Sequence, residues 1–131
     1  MSVKVCDRKQ GKLATLTKAI EFAAHTIKVC DNEGIFPKRH RMSITADIIK
    51  ESKQLPKLIN RANKNKGNKR LELQDQAVDL IDDIEMEIET AYVALFPNIS
   101  EQKIDYWIGL LVELRVLLKA WIKSDAKTVN N

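Results

Sequence analysis

Two histidines, two cysteines and five serines are the side chains through which this chain could do nucleophilic or metal chemistry. His25 follows Glu21 by four residues, a spacing that places both on one face of a helix. A di-metal helical site needs Glu-x-x-His pairs and carboxylates aimed inward, and no Glu-x-x-His occurs. Cys6 and Cys30 form no CxxC pair, so they read as plain thiols, kept reduced in a cytosolic setting, with Cys30 packed inside a helix. None of Ser2, Ser43, Ser52, Ser100 and Ser124 has a triad context, and P-loop, GxGxxG and nucleophile-elbow patterns are absent. The acidic run 79–89 lacks the spacing and the glycine of a calcium loop. The sequence therefore predicts no catalytic residue, no metal and no cofactor, and a protein that is not an enzyme.

Charge is the chemistry that remains. Residues 1–70 hold 17 Lys/Arg against 6 Asp/Glu, a net of +11, and residues 71–131 hold 5 against 12, a net of −7. At about 100° per residue, Arg39, Lys50, Lys53, Lys57, Arg61 and Lys64 fall in one stripe opposite Ile44, Ile48, Leu55, Leu58, Ile59 and Ala62. Lys38 and Arg41 add charge where the stripe begins, and Lys66, Lys69 and Arg70 carry it into the next connection. A row of like charges repels itself, and nucleic-acid phosphates would relieve that repulsion by releasing counterions. Few aromatic residues are available and none interleaves with the stripe, so base stacking is not expected and contact should run along the backbone. Two other readings stay open. The stripe could be a solvated helix face, or it could dock on an acidic ridge (Glu72, Asp75, Asp79, Asp82, Asp83, Glu87) of a sibling subunit, an arrangement that makes a ring if the rotation closes.

Four amphipathic segments must position these charges. The first covers Lys12–Cys30, with Leu13, Leu16, Ile20, Ala23, Ala24, Ile27 and Cys30 on its apolar face and Gly34 as its stop. Ile35-Phe36-Pro37 links it to the second, Lys38–Lys64, where Pro56 predicts a kink, with a break into two helices as the alternative. Residues 63–69 contain no apolar side chain and read as a mobile loop. The third segment, Leu71–Phe96, is ended by Pro97, and Ser100 caps the fourth, which runs to about Lys123 before a frayed tail. Leu110, Val112, Val116 and Leu117 lie outside the main apolar stripe of the fourth segment, which predicts that it also packs on a neighbouring subunit. Four helices with short connections make an all-α, up-down-up-down four-helix bundle.

The size agrees. At 131 residues and 44% hydrophobic content the chain suits a single domain, 1–131, with its ordered core over about 12–123. Only 4 Gly and 3 Pro disfavour a turn-rich β fold. With no apolar run long enough to span a bilayer and no signal-peptide pattern, a cytoplasmic protein without membrane contact is expected.

An apolar first helix, Phe36-Pro37-Lys38 with Arg41 at the opening of a long second helix, an acidic-apolar third helix and a last helix ending Lys119-Ala120-Trp121-Ile122-Lys123 together resemble a known family. It is that of the Avd-like (accessory variability determinant) proteins of diversity-generating retroelements, related to proteins encoded in intervening sequences of 23S ribosomal RNA genes. The resemblance covers roughly residues 13–123, and relatives often carry Gly-Gly-Trp where this chain has Lys-Ala-Trp. It implies a homopentameric, ring-shaped bundle with a basic surface. Such a protein would bind DNA or RNA, associate with the element's reverse transcriptase and support mutagenic copying without being catalytic. It also implies a structural role for Phe36 and Pro37, with Lys38 and Arg41 serving either the subunit interface or the ligand.

Overall fold

Four helices follow one another along the chain in a computed structural model that describes the backbone over residues 3–130 and side chains over residues 12–127. They are α1 (Val3–Asp31), α2 (Ala46–Lys64), α3 (Gly67–Ala94) and α4 (Glu101–Asn130). Among the described residues there is no strand, and no helix is long and apolar enough to cross a membrane. Each helix packs on the next and α4 returns to α1, which gives the four-helix bundle its square section.

Apolar side chains at three- and four-residue steps meet in the centre. Phe22, Ile48, Leu55, Ile59, Ile81, Ile84, Ile88, Leu111, Leu114 and Leu118 are all fully buried, around Trp107. The Trp107 indole N–H donates to Thr26 Oγ at 2.9 Å, and the Thr26 hydroxyl donates to the Phe22 carbonyl, also at 2.9 Å. A buried indole thus keeps a partner, as a group removed from water must. Phe36 is buried and meets the edge of Trp107 at 6.2 Å, so the linker before α2 is anchored in the core.

The helix ends differ in part from the sequence expectation. α1 stops at Asp31 because Asn32 turns the chain: its carbonyl accepts from the Ile35 and Phe36 amides, and its side-chain oxygen accepts from the Gly34 amide at 2.9 Å. Gly34 has no positive φ and does not act as a left-handed cap. The entry to α2 is irregular, with a 3-10 turn over Lys38–His40 and a π turn over Arg41–Thr45. Beyond it α2 is continuous through Pro56, so the alternative of a break into two helices does not occur. Ser100 Oγ accepts the Lys103 amide at 3.2 Å, as expected of the α4 cap. α4 does not end near Lys123 but continues to Asn130.

The connection of residues 63–69 is not a loop. Only Asn65 and Lys66 separate α2 from α3, both extended in backbone, and Gly67 enters α3 with φ of 61°. A left-handed residue is what reverses a chain in so few steps, and glycine adopts it without a Cβ clash. α2 and α3 are consequently tight antiparallel neighbours, and the cations along α2 are fixed relative to the acidic side chains of α3.

The expected apolar face of α1 is rotated from the buried one: Thr15, Ala19, Phe22, Ala23, Thr26 and Cys30 face the core, while Leu13, Ile20, Ala24 and Ile27 are exposed because α1 turns its bulky Phe22 inward. Leu13, Ile20 and Ile27 remain 60%, 53% and 37% exposed along α1. On α4, Leu110 is buried and Leu117 half-buried within the bundle, so only Val112 and Val116 of the four extra apolar residues are left outside.

Candidate nucleic-acid interface

Helical periodicity carries the central cations to one side. Ile48, Ser52, Leu55, Ile59 and Ala62 are the buried residues of α2, and Lys50, Lys53, Lys57, Arg61 and Lys64 are exposed opposite them. At about 1.5 Å per residue the row from Lys50 to Lys64 is roughly 21 Å long. None of these five forms an ion pair with a carboxylate among the described residues. Lys66 and Lys69, also exposed, continue the positive surface around the α2–α3 turn.

The cations before α2 are differently placed. Lys38 Nζ lies 3.4 Å from Glu33 Oε1 with both side chains open to water, a contact of little stabilising value. Arg39 donates through Nε to the His40 ring nitrogen at 3.3 Å. Arg41 is exposed in the π turn.

Arg70 is not a surface cation. Its side chain is 14% exposed, and Nε donates to the Ala62 carbonyl at 3.0 Å and the Asn65 carbonyl at 2.8 Å. Its guanidinium sits 5.7 Å from the centre of the Trp121 ring and 3.5 Å from Asp125, which also accepts from buried Gln74 at 3.0 Å. Carbonyls at the end of a helix lack intrahelical donors, and Arg70 supplies them while tying α2, α3 and α4 together. A charge count groups Arg70 with its basic neighbours. The pairing of Trp121 with Asp125 one helical turn later is the signal that could have set it apart.

The acidic ridge of α3 is also divided. Glu72, Asp75, Asp79, Asp82 and Asp83 are exposed, whereas Glu87 turns toward α2. One carboxylate oxygen of Glu87 and one of Glu51 are buried without a hydrogen-bond partner. Burial first, then the facing Glu51, then Asp47 and Asp83, push the Glu87 carboxyl up to about 8. Glu87 therefore keeps its proton at neutral pH. Asp82 is bound from α4, where Arg115 lies 2.9 Å from both Asp82 and Glu85. On the far side of the bundle Lys18 of α1 bridges Glu21 at 3.1 Å and Glu113 of α4 at 2.8 Å, bonds that raise its pKa. Spacing within one helix does not reveal these inter-helix partners.

Two of the candidate chemical residues, His25 and Cys30, are taken up in packing. His25 lies edge-on to Tyr106 at 4.9 Å, its pKa lowered by burial and by Lys28. Cys30 is buried and its thiol is pushed up to about 12, chiefly by desolvation. Cys6 lies outside the described side chains. Among the described residues no three His, Cys, Asp or Glu side chains are grouped to hold a metal ion.

Compared with known proteins, the chain matches no family model, no curated protein and no solved structure.

Proposed function

We propose that this protein is a non-catalytic accessory factor that binds nucleic acid through the outer face of α2. The observation that carries the proposal is the row of five exposed cations, Lys50, Lys53, Lys57, Arg61 and Lys64, with no carboxylate of the described residues bound to any of them. Lys66, Lys69, Arg39, Arg41 and Lys38 widen the positive surface at its two ends. Such a row neutralises phosphates with little regard to sequence, and its affinity falls steeply with salt. The resemblance to Avd-like proteins extends the proposal to a diversity-generating retroelement, to association with its reverse transcriptase and to a pentameric ring. Exposed Leu13, Ile20 and Ile27 on α1, with Val112 and Val116 on α4, supply apolar surface for contacts between subunits.

Charge reversal tests the site. Lys53→Glu with Lys57→Glu should lower affinity for unrelated DNA and RNA sequences by similar factors, roughly 10-fold or more at low salt. Unchanged affinity in a variant of unchanged helicity removes the site from α2. A second reading, an adaptor whose basic face meets protein, is favoured by the exposed carboxylates Glu72, Asp75 and Asp79 of α3, which could receive the cations of a sibling subunit. In that case the same reversal changes the mass of the assembly and leaves nucleic-acid binding alone.

A further inference from the structure

Beside the basic row, α2 and α3 enclose an open groove of about 480 Å³. Gln54, Lys57, Leu58 and Arg61 form one wall and Gln76, Asp79, Leu80 and Asp83 the other. Both sets follow the same i, i+3, i+4, i+7 spacing, so one face of each helix is presented to the other. Leu58 and Leu80 are half-buried, and the charged side chains above them are exposed. In the antiparallel register set by Glu51 beside Glu87, Lys57 stands nearest Asp79, Arg61 lies toward Gln76 and Asp83 toward Gln54, and no ion pair joins the two walls. The groove volume lies in the range of about 300–1,000 Å³ usual for a ligand site.

An occupant that satisfies both walls needs an anionic group for α2 and adjacent N–H donors for α3. One nucleotide of a strand lying on the basic row has both, in its phosphate and in the edge of its base. We infer that this groove receives a base of the bound strand and favours guanine. The inference rests on the nucleic-acid reading of α2. Carboxylates only accept hydrogen bonds. Guanine places N1–H and the 2-amino group side by side, matching the two oxygens of one carboxylate. Cytosine and adenine offer an amino group beside an unprotonated ring nitrogen. Thymine and uracil set their one N–H between two carbonyls, which a carboxylate repels. Recognition of this kind reads the Watson–Crick edge, so it requires an unpaired base. Leu58 and Leu80 give the base an apolar floor, and Lys57 and Arg61 hold the phosphate beside it.

The test uses fluorescence anisotropy with the full chain and three 12-mers of thymidylate. One is unsubstituted, one carries a central deoxyguanosine, and one carries deoxyinosine, which lacks the 2-amino group. The guanine oligomer should bind about 3- to 10-fold more tightly than the thymine one, the range for a charge-assisted hydrogen bond in a partly solvated site, with inosine between them. Asp79→Asn with Asp83→Asn should abolish the preference while leaving affinity for the thymine oligomer equal or higher. Salt-dependent binding that is the same for all three oligomers overturns the groove assignment and leaves the α2 reading standing. A guanine preference that survives in the double variant removes it from Asp79 and Asp83. Absence of binding to every oligomer at low salt overturns the α2 reading, and this inference with it. Both aspartates are exposed, so circular dichroism of the double variant should match that of the parent chain.

Discussion

Glu87→Gln should make the bundle more stable in alkaline solution. Glu51 of α2 and Glu87 of α3 each bury a carboxylate oxygen that no donor reaches, and Glu87 titrates near 8 in the fold against 4.5 ordinarily. A folded-state value above the unfolded one means that the native protein binds the extra proton. The corresponding stability is fully present below about pH 4.5 and is lost as pH rises through about 8. Each tenfold difference in proton affinity between folded and unfolded chains is worth about 1.4 kcal/mol, which sets a ceiling near 5 kcal/mol. Neither glutamate is fully buried, so solvent screening reduces this to about 1–2 kcal/mol. Glutamine keeps the shape of the protonated acid and can donate to Glu51 at any pH. Urea unfolding at pH 5, 7 and 9, followed by circular dichroism at 222 nm, should give nearly equal midpoints at pH 5 and a growing advantage for the variant toward pH 9. Taking the difference between the two proteins removes the shared titration of His25. Glu51→Gln should reduce the same pH dependence, because it removes the neighbouring carboxylate that helps to raise Glu87. A difference that stays flat from pH 5 to pH 9 would refute the account of a protonated Glu87.

Two further perturbations test the fold that carries the site. Thr26→Val keeps the side-chain shape but orphans the buried Trp107 N–H, at a cost of about 1–3 kcal/mol in a urea titration, and the cost should nearly vanish in a Trp107→Phe background. Arg70→Ala should cost about 2–3 kcal/mol through loss of the bonds to Ala62 and Asn65 and of the Trp121 contact, and Arg70→Lys should recover less than half of it because one ammonium cannot reproduce the fork.

Helix number, helix order and the buried faces of α2, α3 and α4 could be read from apolar spacing because each is a property of one helix, whereas α1 carries apolar residues on two sides and its buried side depends on its neighbours. Ile48, Leu55, Ile59 and Ala62 set the inner side of α2, and this in turn sets the outer side on which Lys53 and Lys57 stand. Ser100 was legible as a cap because capping is local to one turn. Contacts between helices were not. Arg70 and the Glu51–Glu87 pair depend on which helices meet and at what height, and composition is silent on both. The polar run 63–69 resembled a loop because polarity suits a solvated helix as well as a turn, and Gly67 alone marks where the chain reverses. Asn32 ended α1 ahead of Gly34 because its side chain offers the turn an acceptor, which glycine lacks.

The most direct measurement is the salt dependence of affinity for duplex DNA of arbitrary sequence. A row of five free cations over roughly 21 Å can lie along about six phosphates of one strand, whose axial spacing is about 3.4 Å. With four to five phosphates neutralised per protomer, the plot of log K against log salt concentration should have a slope of about −3.5 or steeper. The same slope should become shallower by nearly 2 in the Lys53→Gln, Lys57→Gln variant. A slope between 0 and −1, or one that this substitution leaves unaltered, would contradict the assignment of α2 as the phosphate-binding face.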